Sequence, residues 1–242
     1  MCFSVNVNLV KEELENRYGA TFLDPDKYHP SYYYHAFGLP GIPVICSDKP
    51  EKIRVMTWGL IPAWVRNRES AEEIRFRTFN ARAESLDSRP SFSASFSSKR
   101  CLVPICGFFE WQHTATRKIP WYIFRSDSDL MSLAGLWSEW TDTSTGEQLN
   151  TFSVITTDAN ELMAKIHNSK KRMPVIIEKG SENVWLDPHS EKEDLKKLLE
   201  PFPQEILAAH TISNLINRKD TERNSPEIIK PYSWTGGGND LF

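Results

Sequence analysis

Cys2-Phe3-Ser4-Val5-Asn6-Val7-Asn8-Leu9 follows Met1 at the start of the chain. Phe3, Val5, Val7 and Leu9 alternate with Ser4, Asn6 and Asn8. That period of two predicts a half-buried strand beginning almost at the first residue. A strand there pins the chain start inside the fold, where termini ordinarily fray. Residues 11–18 then read as a short helix stopped by Gly19.

Working outward, apolar strand-like segments recur at 31–37, 43–46, 53–58, 101–104, 107–111, 121–124, 130–137, 151–156, 173–177 and 209–212. Helical readings are fewer: 69–75, 90–99 with Phe92 and Phe96 four apart, 160–167 and 190–199. Many strands with few helices between them argue against a doubly wound parallel sheet. The expectation is an α+β chain, a single domain over residues 2–232 with a strand-rich, barrel-like, mixed or antiparallel core and peripheral helices. Residues 233–242, with Gly236-Gly237-Gly238, read as a flexible tail.

Composition narrows the function. At 242 residues, 40% hydrophobic and 25% charged, the chain has globular proportions, which excludes disorder throughout. No apolar run is long enough for a membrane-spanning helix, and no signal peptide is visible, so a cytoplasmic protein is expected. Four Cys are too sparse for a disulfide scaffold. The net charge of −3 excludes a globally basic nucleic-acid binder and leaves room for a local basic groove. Residues 54–100 hold nine Lys and Arg against five acids, and Lys165, Lys170, Lys171 and Arg172 form a second basic run.

Cys2 offers unusual chemistry. With Met1 removed, its α-amine and thiol form a 1,2-aminothiol. The amine condenses with an aldehyde to an imine, and the thiol closes a five-membered thiazolidine on the same carbon. An α-amine of ordinary pKa is about a tenth or more neutral at pH 7. Trp58-Gly59-Leu60-Ile61-Pro62-Ala63-Trp64 brackets a turn with two indoles, as stacking surfaces for unpaired bases or as core. Asn80-Ala81-Arg82-Ala83-Glu84 supplies an amide and a guanidinium suited to phosphate, or a surface Arg82–Glu84 pair. Glu110 lies between Phe109 and Trp111, where it either points outward or is buried as a proton shuttle. His167 closes a helix beside the second basic run, as an acid/base or as a cap. No metal-ligand spacing, P-loop or G-x-S-x-G is present.

Read in order, Cys2, Trp58 to Trp64, Asn80 to Glu84, Arg100-Cys101-Leu102-Val103-Pro104, Gly107-Phe108-Phe109-Glu110-Trp111 and His167 with Arg172-Met173-Pro174 resemble the SRAP (SOS response-associated peptidase) domain of abasic-site processing proteins. The resemblance spans about residues 2–215. It implies a basic cleft, covalent linkage of Cys2 to abasic sites in single-stranded DNA, and shielding of the lesion during replication. It assigns Asn80 to positioning, Glu110 to proton transfer at the amine, and His167 to ring opening, β-elimination or adduct reversal. It places Trp58, Trp64, Arg82, Arg100 and Arg172 against DNA. It calls for no cofactor and no metal, and a monomer is expected.

Two features depart from the pattern. Phe3-Ser4 stands where many members have Gly-Arg, so an early arginine contact to DNA is missing. Four residues, 168–171, separate His167 from Arg172 where many members have one, so Lys170 and Lys171 compete for the phosphate role. A cysteine peptidase using Cys2, His167 and Asn80, and a noncatalytic reader of modified nucleic acid, are the rival readings.

Overall fold

The alternating stretch does form a strand, β1 (Ser4–Val7), but one buried on both faces. The computed structural model describes residues 2–127, 130–218, 220 and 222–234. The polar residues of β1 are covered because β1 is an inner strand whose outward face is roofed by aromatic residues. Asn6 Nδ2 donates to the Tyr122 hydroxyl at 2.9 Å, and Ser4 Oγ lies 2.9 Å from His35 Nδ1. Period-two polarity therefore marks here a polar layer satisfied internally, not a wet face.

After β1 the chain forms α1 (Lys11–Tyr18), β2 (Thr21–Phe22), β3 (Ser31–His35), β4 (Gly41–Cys46), β5 (Lys49–Trp58), α2 (Arg68–Arg75) and β6 (Asn80–Arg82). There follow α3 (Ser93–Ser98), β7 (Arg100–Ile105), β8 (Gly107–His113), β9 (Lys118–Arg125), β10 (Met131–Thr141) and β11 (Gln148–Asp158). The last elements are α4 (Glu161–Ile166), β12 (Arg172–Pro174), β13 (Ile176–Ile177), α5 (Glu182–Leu186), α6 (Lys192–Lys197) and β14 (Leu207–Thr211). α1 begins where Glu13 accepts from the Val10 N–H at 2.9 Å, and ends at Gly19, whose φ of +60° favours glycine.

One sheet runs β14-β9-β8-β1-β3, and the other runs β12-β11-β10-β7-β4-β5-β2. In the second, β11 also pairs in parallel with β5, Thr151 opposite Thr57 and Phe152 opposite Trp58. That contact closes β5, β4, β7, β10 and β11 into a five-stranded barrel. The expected α+β class with a mixed, barrel-like core is the one observed. Gly107 is required where β8 begins, because a Cβ there would come within 2.5 Å of the Tyr122 ring. The tail expectation falls largely on 235–242, outside the described residues. Within it, Trp234 is docked, its indole donating to the Ile212 carbonyl at 2.9 Å. No helix among the described residues is long and apolar enough to cross a membrane.

Candidate active site

β1 and β8 are antiparallel, with Val5 opposite Phe108 and Asn6 opposite Gly107. The chain start therefore runs toward the Glu110 end of β8. Cys2 is fully buried there, and Asn80 Nδ2 donates to its carbonyl at 2.9 Å. Asn80 is delivered by β6, a three-residue strand that pairs in parallel with β11, Asn80 opposite Val154. The Asn80 Oδ1 acceptor is buried with no hydrogen-bond partner among the described residues. Burial pushes the Cys2 thiol far up, and the Glu110 charge pushes it further.

Glu110 is buried, so its side chain does not point outward. Burial pushes its carboxyl up to about 7, against the opposing pull of the amino-terminal ammonium and a backbone hydrogen bond at Trp111. Its Oε2 lies 3.9 Å from Nε2 of His167, also buried. Asn160 caps α4 by accepting from the Met163 N–H at 2.8 Å, and the helix ends at His167. His167 Nδ1 lies 2.9 Å from the Arg172 carbonyl. A carbonyl only accepts, so Nδ1 carries the proton and the neutral ring presents an unprotonated Nε2 toward Glu110. Burial, then the terminal ammonium, pull His167 down to about 4. At pH 7 the pair is a neutral imidazole facing a carboxyl poised between its two states. A formal salt bridge here would need a protonated ring, which burial disfavours.

The remaining expected residues separate into surface and interior. Arg82 is exposed and has no ion pair among the described residues, while Glu84 is taken by Arg172. Lys170 and Lys171 are exposed, and Lys171 has a φ of +49° in the turn after His167. That turn is tied to β8 by Asn168, whose amide donates to the His113 carbonyl at 2.8 Å and accepts from the His113 N–H at 3.0 Å. Trp64 is 56% exposed.

Three residues expected on DNA lie inside the protein. Trp58 is buried, donates to the Phe79 carbonyl at 2.9 Å and stacks on Phe152. Arg100 is buried and donates to the carbonyls of Trp185, Phe96, Ser97 and Asp187, so its charge is spent bracing α3 and α5. Arg172 is buried, grips Glu84 with both terminal nitrogens, and also reaches Asp158 at 2.8 Å and the Thr156 carbonyl at 2.6 Å. Its backbone carbonyl accepts the hydrogen bond from His167 Nδ1.

A cavity of about 490 Å³ opens beside Glu110 and His167, with Phe3, Trp111, Lys118 and Lys170 among its walls. Neither Lys118 nor Phe3 is among the site residues expected from the sequence. Phe3 could have been, as the neighbour of Cys2; nothing marks Lys118 locally. The described residues hold no cluster of three metal-ligating side chains. A papain-like set is not formed: Asn80 bonds to Cys2, not to His167, and the thiol is held protonated.

The family model described as SOS response associated peptidase (SRAP) matches residues 1–219. The abasic site processing protein YoqW of Bacillus subtilis (strain 168) is 38% identical over 213 residues, covering 87% of this chain and 90% of that protein. The abasic site processing protein HMCES of Xenopus tropicalis is 32% identical, over 85% of this chain and 67% of its own length. Among solved structures, a protein from Bacteroides thetaiotaomicron superposes with a TM-score of 0.90 at 38% identity, over 96% of this chain and 100% of that one.

Proposed function

The chain belongs to the SRAP family, and on that premise we propose that it attaches itself covalently through Cys2 to abasic sites in single-stranded DNA. The observation that carries this reading is that Cys2 is buried with the buried Glu110 carboxyl acting on its thiol, and that Glu110 lies 3.9 Å from the buried His167.

The abasic deoxyribose equilibrates with a ring-opened aldehyde. Once Met1 is removed, the Cys2 amine attacks C1′, and the carbinolamine loses water to give an imine. Glu110 moves the protons, since a group whose pKa lies near the working pH both takes and returns them readily. The thiol then adds to the imine carbon. A C–S bond forms, the sulfur gives up its proton, and the imine nitrogen gains one. One water is lost overall, and no redox step is involved. A protonated, buried thiol suits this order, because the amine acts first and the sulfur is held back until its electrophile is adjacent. Asn80, through the Cys2 carbonyl, fixes the nucleophile's backbone. His167 serves ring opening, β-elimination or reversal with its unprotonated Nε2. Arg82, Trp64, Lys170 and Lys171 meet the strand, which is single because a stacked duplex hides the sugar.

Intact-mass spectrometry after mixing the protein with abasic single-stranded DNA tests the reading. The expected species is the chain without Met1 plus the oligonucleotide, less one water. Noncovalent retention alone would leave a reader of modified DNA, and cleavage of added peptides without an adduct would leave a peptidase.

A further inference from the structure

The Cys2 aminothiol needs only an aldehyde carbon; the rest of a DNA strand contributes binding, not bonds. Cys2 is buried beside Glu110, whose charge acts on its thiol. The cavity of about 490 Å³ reaches that point, because Glu110 lines it and so does Phe3, the next residue after Cys2. Small-molecule sites span roughly 300–1,000 Å³, so the cleft can hold a free ligand.

Two cations, Lys118 and Lys170, stand in its walls, and Glu110 is the one carboxylate among its described lining residues. Neither lysine has an ion pair among the described residues. The backbone brings them together. Lys118 lies opposite His113 in the ladder between β8 and β9. Asn168 bonds to both backbone groups of His113, at 2.8 and 3.0 Å. The turn anchored in this way returns the Lys170 N–H to the His167 carbonyl at 3.3 Å. Lys170 is present there because four residues separate His167 from Arg172.

Two unpaired ammonium groups match a phosphomonoester better than a phosphodiester. The monoester carries about 1.5 to 2 negative charges at pH 7, and the diester of a strand carries one. A short aldehyde whose terminal hydroxyl is phosphorylated cannot close a furanose ring, so its carbonyl stays open to attack.

We infer that the cleft also captures free, phosphorylated short-chain hydroxyaldehydes, with the phosphate between Lys118 and Lys170 and the carbonyl carbon at Cys2. This rests on the reading that Cys2, freed of Met1, forms thiazolidines. The carbonyl carbon gains one bond to nitrogen and one to sulfur. Its oxygen leaves as water, which takes one proton from the amine and one from the thiol, and nothing is oxidised or reduced. A chain capped in this way has no primary amine left for C1′, so such aldehydes hold the protein off DNA.

Intact-mass spectrometry in the absence of DNA tests the capture. The chain without Met1 is mixed with glyceraldehyde 3-phosphate or with glyceraldehyde. A Cys-Phe-Ser peptide treated in parallel supplies the intrinsic reactivity of each aldehyde. The expected species is the chain plus the aldehyde less one water, located on Cys2 by digestion. After division by the peptide rates, the phosphorylated aldehyde should react roughly 3- to 30-fold faster, as two solvent-screened ion pairs allow. The advantage should shrink as salt rises. Lys118→Ala with Lys170→Ala should bring the ratio close to one, and a ratio taken within one variant does not depend on how much of it is folded. Equal corrected rates in the wild type, a double variant that keeps the ratio, or an adduct on lysine in place of Cys2 overturns the inference. Abasic single-stranded DNA assayed in parallel separates the two readings. A DNA adduct with no phosphate-dependent capture removes the capture alone, and capture with no DNA adduct removes the DNA reading alone.

Discussion

Nε2 of His167 stands 3.9 Å from Oε2 of Glu110, and burial moves both groups toward neutrality. Two side chains that ionise oppositely when charged are held in van der Waals range of each other, with the imidazole proton turned away to the Arg172 carbonyl. The carboxyl is left poised at about 7 and the imidazole neutral down to about 4.

Glu110→Gln should slow adduct formation by roughly 10²–10⁴-fold and leave DNA affinity almost unchanged. In the wild type the rate should climb as pH rises through about 7, where the carboxyl gains its basic form. In the variant only the rise that deprotonation of the Cys2 amine itself gives, at higher pH, should remain. Stopped-time gels across pH measure it, and a wild-type profile in the variant would make Glu110 structural.

The same carboxyl weakens the fold. Its folded pKa is raised, so its full contribution is present below about 4.5 and is lost as pH rises through about 7. The loss is on the order of 3 kcal/mol at alkaline pH. Urea unfolding at pH 5 and pH 8 should show Glu110→Gln more stable than wild type only at the higher pH.

Arg82→Ala should weaken binding to all sequences alike and lower the salt slope by about one ion. Arg100→Ala should leave that slope unchanged and cost roughly 3 kcal/mol, because four carbonyls lose their buried donor. Salt titrations and thermal melts of the two variants distinguish a surface cation from an interior one.

His167→Ala should alter strand cleavage or adduct release more than adduct formation. Time courses of release from a preformed adduct measure this, and unchanged kinetics would discard the assignment.

Cys2→Ser keeps the amine and loses the sulfur nucleophile. It should yield an adduct mainly when borohydride traps the imine, while the wild-type adduct survives denaturation without reductant. Acetylation of the amino terminus should abolish both. A serine adduct as stable as wild type would remove the thiol from the link.

The sequence by itself determined most local elements and the chemical types at the site. Alternation over 3–9 gave a strand, and Gly19 ended α1 at Tyr18, because period and backbone freedom act over a few residues. It passed over β2, β6 and α5, whose few residues carry too little pattern to register. The tertiary structure alone decided exposure. Trp58, Arg100 and Arg172 read as DNA contacts and are interior, because a cation or indole is buried only when distant segments supply its partners: Trp185 and Asp187 for Arg100, Glu84 and Asp158 for Arg172. Glu110 needed burial by the rest of the fold before its pKa could rise, and the barrel needed β11 to meet β5 across more than ninety residues. Burial and the pairing of remote groups depend on what the rest of the chain brings alongside, and no local window of sequence contains it.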